Sequence, residues 1–528
     1  MKKYLFLVGS LLATVSAFSQ NVNDAIRFAE NEQYSRSKSL LFRLIKTADK
    51  PEPFYQLGNV YLKLEKLDSA TYYFSKAKEV DPKFNLALVG IGSALYQAGK
   101  KAEAKANFDQ ALTASKNKNA EILARVSEVY VEGKDKLEIG NAISLLDKAI
   151  LYNASVPEYY LLRGDAYLIK QDGSKAVSDY HEAIRLNPKL AKAYIKEGKL
   201  YIKARNYTEA LKFYNKGIEA NPEYSPGYRE MGELYAKARQ YPKALESYKK
   251  YMELSDNDDD TKFRYASFLF MTQDYKGSKE LISNLYTKGF TNKIGYRLLG
   301  YSDYELGDSI SALVNMRQFM SGTDTSKFIP SDYGYLGKAL IKNNQPDSGM
   351  KYLEKAYALD SSNADLILEM AETANRLKNY PAAISYYEKA AKKFKPRFND
   401  LYNLGKAYYF EKKYTEADTT FGLIIANYPK YPYGYSWKGN TKAVLDPDSK
   451  KGLAKPYFEK VVELFTPEGA KYKSDLVKAH SYLGAYYQII AKDNEKASEN
   501  WNKLLIYEPS NKQAKDALLI ISKSKEKK

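Results

Sequence analysis

The chain repeats itself every 34 residues across its central stretch, from Pro157 to Asp256. Three blocks begin at Pro157, Ala191 and Ser225, and four positions in each block carry the same residue type. The recurring residues are Gly164, Gly198 and Gly232 at position eight, Tyr167, Tyr201 and Tyr235 at position eleven, Ala176, Ala210 and Ala244 at position twenty, and Tyr180, Tyr214 and Tyr248 at position twenty-four. A fixed period of this length predicts a stack of similar structural units.

Each block is predicted to form two antiparallel helices. In the second block, Tyr194, Gly198 and Tyr201 recur at helical intervals, and Ala210 and Tyr214 share one face of a following helix. Small residues at positions eight and twenty let the two helices approach, and the ring at position twenty-four fills the space beside them. One such hairpin cannot bury its own apolar face, so it has to stack on a neighbour.

This pattern resembles the tetratricopeptide repeat family, whose motif spaces a large aromatic residue, Leu-Gly, Tyr, Ala, Phe, Ala and Pro over one repeat. The best match comprises Phe54, Leu57, Gly58, Tyr61, Ala70, Phe74, Ala77 and Pro82. Here Phe or Tyr replaces the usual Trp at position four. The resemblance implies an all-α fold, a right-handed α-solenoid of about 13–14 helix-turn-helix repeats with a C-terminal capping helix.

The strength of the pattern varies along the chain and predicts five segments. The first repeat, from Asn21 to Asp49, is weak, which suits an end unit whose outer face meets water. The link from Ser321 to Ser331 is rich in Gly, Thr and Ser and is a candidate flexible joint. The predicted segments are a signal peptide (1–19), an N-terminal array (20–256), degenerate repeats and a joint (257–330), a C-terminal array (331–510), and a capping helix with a basic tail (511–528).

The first 19 residues have the pattern of a secretory signal peptide. Lys2 and Lys3 precede an apolar run that is too short to span a bilayer, and Ala17 and Ser19 suit cleavage. An uncleaved anchor helix is the alternative. The chain has no cysteine, which excludes disulfides and the acylation of a lipoprotein cysteine. We therefore expect an exported protein of a Gram-negative envelope, periplasmic or associated with the outer membrane, and not a lipoprotein.

The sequence offers no arrangement of catalytic or metal-binding groups. Its two histidines, His181 and His480, lie in separate repeats, and His480 is expected to pack as a ring. Phosphate-binding loops and G-x-S-x-G motifs are absent. The acidic stretch 256–260 lacks the Gly and Glu that a calcium hand requires, so its carboxylates are expected to cap the next helix. We expect no enzyme activity, no cofactor and no metal, with the other carboxylates on solvated helix faces.

The resemblance implies that the first helices line a concave groove that binds peptides or partner domains. A lysine stripe, defined as Lys192, Lys196, Lys199 and Lys203, has spacings of four, three and four, so its members share one helix face. Arg229 and Lys237 are expected to flank it from the next repeat. A second candidate set mixes aromatic and polar residues and comprises Tyr402, Lys406, Tyr409, Phe410, Tyr433 and Asn440. Solvated lysines and packing between repeats are the alternatives.

These observations favour a non-enzymatic scaffold or adaptor that binds a protein or peptide partner in an envelope assembly. The net charge of +18 suits an acidic partner or anionic lipid, or serves solubility alone, whereas export argues against nucleic acid. We expect the lysine stripe to receive an acidic segment. The resemblance also disfavours a groove that clamps a C-terminal carboxylate. The second repeat offers Tyr55 and Asn59, but the third repeat has Gly90 where such a clamp requires Asn. A carbohydrate- or cell-wall-associated protein, whose tyrosines stack on sugars, is the alternative.

Overall fold

The computed structural model describes residues 21–47, 49–321 and 323–525, with every side chain except that of Lys525. The predicted signal peptide, residues 1–19, lies outside the described residues. The chain divides into two units, residues 1–291 and 292–528. Throughout the described ranges the regular elements are helices and no strand occurs, so the prediction of an all-α solenoid is confirmed.

In its described residues the first unit contains eight helical hairpins in series, each with a first and a second helix. The helices are α1 (21–30), α2 (Tyr34–Thr47), α3 (Pro51–Lys63), α4 (Leu67–Val80), α5 (Leu86–Gln97), α6 (Lys101–Ala114), α7 (Ala120–Glu132), α8 (Ile139–Tyr152), α9 (Pro157–Ile169), α10 (Gly173–Leu186), α11 (Ala191–Lys203), α12 (Tyr207–Ala220), α13 (Ser225–Lys237), α14 (Tyr241–Leu254), α15 (Asp259–Met271) and α16 (Tyr275–Thr287).

The second unit contains six hairpins and one last helix over the residues that the structure describes. The helices are α17 (Ile294–Glu305), α18 (Ser309–Ser321), α19 (Pro330–Lys342), α20 (Pro346–Leu359), α21 (Ala364–Arg376), α22 (Tyr380–Ala391), α23 (Phe398–Phe410), α24 (Tyr414–Asn427), α25 (Pro432–Leu445), α26 (Lys455–Phe465), α27 (Lys473–Ala485), α28 (Asn494–Tyr507) and α29 (Lys512–Lys525). A π-helical turn, Tyr486–Ile490, continues α27. The last helix, α29, runs to Lys525, and the side chains of Lys523 and Ser524 near its end are exposed.

One residue with left-handed backbone geometry makes the turn inside most hairpins. Gln171, Arg205 and Arg239 stand at position fifteen of the three central blocks, with φ of 64°, 59° and 57°. The following amide then closes the helix end, as where Asn206 N donates to the carbonyl of Tyr201 at 2.9 Å. Long polar residues rather than glycine hold this position in the central blocks, so the sequence did not reveal the turn.

The packing inside a hairpin follows the predicted positions. A Cβ placed on Gly198 would overlap the ring of Tyr214, which is fully buried. At Gly484 the same test places the added atom 2.6 Å from the ring of Trp501. The glycine at position eight therefore provides the space for the ring at position twenty-four, and this prediction is confirmed.

The link predicted as a joint is a short, well-connected segment of the second unit. Arg297 Nη2 donates to the carbonyl of Lys327 at 2.8 Å, and the Phe328 ring lies 5.4 Å from that of Phe319. The boundary between the two units, at residues 291 and 292, falls inside the predicted segment 257–330. The five-segment division and the flexibility of the link stay predictions.

Candidate functional site

The turn between α1 and α2 is bound by the seventh hairpin of the same unit. Arg229 Nη1 on α13 donates to both carboxylate oxygens of Glu32, at 2.6 and 2.7 Å. Tyr251 OH on α14 donates to Glu32 Oε2 at 2.7 Å. The two partners are 197 and 219 residues away along the chain, so these bonds close the first seven hairpins into a ring.

Backbone groups complete this contact, which we call the ring junction: residues 31–35 against α13, α14 and Asp256. Ser225 Oγ donates to the carbonyl of Asn31 at 2.7 Å, and Asp256 N donates to that of Glu32 at 2.9 Å. Ser35 N donates to Asp256 Oδ2 at 2.6 Å. The weak repeat pattern suggested that the first hairpin is a free end whose outer face meets water. The structure instead shows its turn bound by the seventh hairpin.

The aspartates of the acidic stretch after α14 have two different roles. Asp258 accepts a hydrogen bond from Thr261 N at 2.7 Å and caps α15, as predicted. Asp256 instead belongs to the ring junction. Across the described residues, no group of three or more His, Cys, Asp and Glu side chains is placed to hold a metal ion.

The ring surrounds a cavity of about 670 Å³, lined mainly by the first helices of the seven hairpins. Seven cations and seven carboxylates line it, so the charge of the lining is balanced. The cations are Lys63, Arg125, Lys192, Lys196, Lys199, Lys203 and Arg229, and the carboxylates are Glu30, Glu32, Glu128, Glu132, Glu158, Asp165 and Glu230.

Most of these charges are paired with one another. The six ion pairs of the lining are Lys63–Glu132, Arg125–Glu128, Lys196–Asp165, Lys199–Glu230, Arg229–Glu32 and Arg229–Glu230. Within the described part of the chain, Lys192, Lys203, Glu30 and Glu158 have no ion-pair partner closer than 4.0 Å. The cavity therefore holds two cations and two carboxylates that a ligand could neutralise.

The predicted lysine stripe does line one cavity, and Arg229 joins it there. Lys237 does not line the cavity and is exposed at the end of α13. The charge of the stripe is partly compensated, because Lys196 binds Asp165 and Lys199 Nζ lies 2.7 Å from Glu230. Whether these residues bind a partner stays a prediction.

Burial in the cavity disfavours the charged forms of Lys192 and Glu30. It lowers the pKa of Lys192, and the neighbouring Lys196 lowers this pKa further, against the attraction of Glu128 and Glu30. Glu30 faces the cavity, yet protein surrounds it, and this desolvation raises its pKa. Both groups would be stabilised in their charged forms by a ligand that brings the opposite charge.

The sequence contained a signal for part of this lining. Glu158, Asp165 and Glu230 stand at positions two, nine and six of their repeats, the same groove positions that singled out the lysines. If the carboxylates at these positions are considered together with the lysines, the sequence predicts that the positive charge of the stripe is partly neutralised. The contribution of Glu32 has no such signal, since it lies in a turn of the weakest repeat.

The second candidate set assembles around Trp437 in the second unit. Trp437 Nε1 donates to Tyr402 OH at 3.1 Å, and its ring lies 5.3 Å from Tyr409 and 5.9 Å from Phe410. Lys406 Nζ lies 5.1 Å from the Tyr402 ring and 5.5 Å from the Trp437 ring. These rings therefore contact one another and a lysine, which leaves their faces largely occupied.

Two further members of that set lie at its edge. The Tyr433 ring is 6.0 Å from that of Tyr402, whereas Asn440 lies three residues after Trp437 on α25 and is partly exposed. Sequence reasoning missed Trp437 itself, although it is one of two tryptophans and stands at position six of its repeat.

The two histidines lie in different units and have different partners. His480 is buried, as expected for a packed ring, and its Nδ1 lies 2.9 Å from Asn500 Oδ1. His181 Nε2 lies 2.8 Å from Glu197 Oε1. Of the helices in the described ranges, none has the length and apolarity needed to cross a membrane.

Family models and one solved structure establish the relationship of this chain to known proteins. Models described as tetratricopeptide repeat match residues 55–119, 157–190, 191–224, 336–400 and 401–431. No curated protein matches the chain. The C-terminal part of a TPR repeat-containing protein from Cytophaga hutchinsonii is 34% identical, covering 48% of this chain and 99% of that one, with a TM-score of 0.44.

Two further solved structures are more distant. A tetratricopeptide repeat protein from Parabacteroides merdae is 19% identical, with 46% of this chain and 93% of that chain covered and a TM-score of 0.32. Yeast Tom70 is 15% identical, with 76% and 96% covered and a TM-score of 0.30. The repeat models and the 34% identity to the Cytophaga protein show that the chain belongs to the tetratricopeptide repeat family.

Proposed function

We propose that this protein is a non-enzymatic scaffold or adaptor that binds a segment of a partner protein in the cavity of its first unit. Repeats of this family are typical of protein-interaction scaffolds. The observation that carries the proposal is the lining of the cavity, where six first helices and the turn that holds Glu32 direct fourteen charged side chains at one space. The cavity wall provides both charge and apolar surface, which suits a peptide.

The unpaired charges define the chemistry of the segment. Lys192 and Lys203 would receive acidic side chains, and Glu30 and Glu158 would receive a basic one. Lys192 lines the cavity as a partly desolvated cation without an ion-pair partner among the described residues, so it anchors the acidic contact. A carboxylate that reaches it regains the electrostatic energy lost on burial.

The place of action that we propose is the bacterial envelope. The signal-peptide pattern of residues 1–19 and the absence of cysteine support an exported protein without a lipid anchor, periplasmic or associated with the outer membrane. There the scaffold would hold its partner within an envelope complex.

The test compares two pairs of neutralised lysines in cells. Lys192→Gln with Lys203→Gln removes the two unpaired cations of the cavity, and Lys243→Gln with Lys249→Gln removes two exposed cations of α14. Partners are fixed by crosslinking, recovered with the protein and quantified. We expect the cavity pair to lower recovery at least about tenfold, equivalent to about 1.4 kcal/mol, and the control pair to leave it unchanged.

Neutralising Lys196 or Lys199 would be a poorer test, because each would leave a carboxylate of the lining unpaired. Recovery by the wild type should also decrease as salt rises, since the Debye length is about 8 Å at physiological ionic strength. An equal decrease with both lysine pairs would mean that only net charge matters, and would refute a binding cavity.

The carbohydrate alternative has weaker support in the structure. Only four tyrosines in the described ranges are exposed, and they belong to four different repeats: Tyr72, Tyr152, Tyr207 and Tyr431. Sugar-binding surfaces need rings with free faces close together. A pull-down with cell-wall polysaccharide decides between the two functions, because a protein-binding scaffold does not retain glycan.

A further inference from the structure

The Glu32-binding site on α13 and α14 is built as a receptor for a carboxylate. Tyr251 is buried, and the Arg229 guanidinium carbon lies 5.3 Å from the centre of its ring. The ring thus positions the cation, and the tyrosine hydroxyl, 3.3 Å from Arg229 Nη1, adds a second donor. A guanidinium and a hydroxyl directed at the same point form a strong, charge-assisted carboxylate site.

The ring junction is polar, unlike the contacts between neighbouring hairpins. The apolar cluster around the first hairpin, which includes Leu41 and Leu44, draws its members from residues 22–73. The cluster around the seventh hairpin, which includes Tyr248 and Phe268, draws its members from residues 228–268. The junction consists of hydrogen bonds and one ion pair, Arg229–Glu32. One further hydrogen bond runs from Gln33 Nε2 to the carbonyl of Leu254 at 2.6 Å.

A contact of this kind can be exchanged at small cost. A carboxylate from a partner would accept the same bonds from Arg229 and Tyr251 that Glu32 accepts, so these two donors stay paired, and the other junction bonds would be exchanged for bonds to water. The hairpins themselves would remain stacked through their apolar clusters on either side. Glu32 and the ligand therefore compete for one site.

We infer that Arg229 and Tyr251 form a carboxylate-binding site that Glu32 occupies within the chain, and that an acidic segment displaces Glu32 and opens the ring. The inference rests on the proposed function, since it supplies the way in which a partner segment enters the cavity. Glu32 then acts as an internal competitor that keeps the cavity closed until a carboxylate arrives.

Binding of a simple acidic probe tests the competition. The probe is a fluorescein-labelled peptide of six glutamates, its binding is followed by fluorescence anisotropy, and a peptide of six serines is the reference. We expect Glu32→Gln to bind the glutamate probe about tenfold more tightly, as it would if Glu32 left the site free in one wild-type molecule in ten. In that background, Arg229→Gln should abolish the gain.

The matched control is a carboxylate in a similar pair outside the junction. Glu233 accepts from Arg264 Nε and Nη2 at 2.8 and 2.5 Å. Glu233→Gln changes the net charge by the same amount as Glu32→Gln. It should leave the affinity for the probe unchanged.

A distance measurement tests the opening without any partner. Because the chain has no cysteine, Ser39→Cys on α2 and Lys249→Cys on α14 introduce two exposed sites for spin labels. We expect a dominant short distance in the labelled wild type, with longer distances in about one molecule in ten. Glu32→Gln, or a saturating amount of the glutamate probe, should add longer distances, whereas Glu233→Gln should not. Circular dichroism should show the same helicity in all variants.

Three outcomes would overturn the inference: unchanged distances in Glu32→Gln, unchanged affinity of that variant for the probe, or an equal gain with Glu233→Gln. Failure of the proposed function gives a different result. In that case Lys192→Gln with Lys203→Gln would still recover partners, whereas Glu32→Gln would still add longer distances across the ring junction.

Discussion

Ionisable side chains buried between helices are held by partners from a neighbouring helix. Asp332 is fully buried, and it accepts from Arg297 Nε and Nη2 at 2.7 and 2.8 Å and from Tyr301 OH at 2.7 Å. His480 is held on α27 by Asn500 of α28. Removing one member of a buried ion pair such as Arg297–Asp332 typically costs about 3–5 kcal/mol, because it leaves an uncompensated buried charge. His480 therefore connects local stability to protonation.

The buried His480 should make the second unit sensitive to acid. Burial lowers its pKa, against the hydrogen bond with Asn500, while Lys503 and Glu499 act in opposite directions. The unfolded chain binds a proton below the ordinary histidine pKa of about 6.5, and the folded chain resists it, so stability falls as the pH drops. We expect the unfolding temperature to fall less in His480→Gln than in the wild type between about pH 7.5 and about pH 5.5. Scanning calorimetry measures both, and parallel decreases would contradict this assignment.

Sequence reasoning located the packing residues well and the buried charges poorly. Positions eight, twenty and twenty-four were predicted from their spacing, because size and periodicity determine which residues face a neighbouring helix. The expectation that carboxylates lie on solvated faces is wrong for Glu197, Asp303 and Asp332, which are fully buried. Spacing gives the face on which a residue lies, but the partner that makes its burial tolerable comes from another helix.

The helical hairpin is the unit that tolerates variation. The eighth hairpin, α15 and α16, has few of the motif residues and still forms two helices of 13 residues each. Stacking on a regular neighbour supplies the stability that a weak motif lacks, since most helical stability comes from packing of an apolar face. Motif strength therefore predicts where the pattern is regular rather than where hairpins exist.

A large side chain at position eight should separate the two helices of one hairpin. Gly198→Leu places carbon atoms where the Tyr214 ring lies, and we expect a loss of about 1–3 kcal/mol from overpacking. Hydrogen exchange should show lost protection in α11, α12 and adjoining helices and little change in distant hairpins. Gly140→Leu, at an open position on α8, is the control. An even change along the chain would contradict nearest-neighbour stacking.

At the scale of the molecule, the excess of positive charge lies outside the cavity of the first unit. The chain carries a net +18, whereas the seven cations and seven carboxylates of the lining cancel. The basic character therefore belongs to the remaining surface, where it serves solubility or attraction to acidic surroundings. Affinity in the cavity has to come from particular pairs instead.

Export makes a prediction for the whole chain. The protein recovered from its native envelope should begin at Gln20 or nearby and carry no lipid, because the apolar run before that residue is short and no cysteine is present. Mass spectrometry of the intact protein measures both properties. A mature species that retains Met1 would contradict the signal-peptide prediction.

Ring closure could not be predicted from the repeat pattern. The 34-residue period predicts contacts between adjacent hairpins. The helical spacing of the lysine stripe also correctly predicted that its four members share one face of α11, which lines the cavity. The bond from Arg229 to Glu32 joins residues 197 positions apart, so it depends on the small rotation from each hairpin to the next. Six such rotations add up to a closure that no local feature of the sequence encodes.

The long separation of Glu32 and Arg229 also sets an order of events during synthesis. A ribosome adds roughly 5–20 residues per second, so the 197 residues between them take about 10–40 s to appear. Throughout that interval the nascent first hairpin has neighbours on one side only, and its turn has no partner. A chain that terminates before the seventh hairpin would therefore expose Glu32 permanently, and quality-control factors could distinguish it from a finished chain by that turn alone.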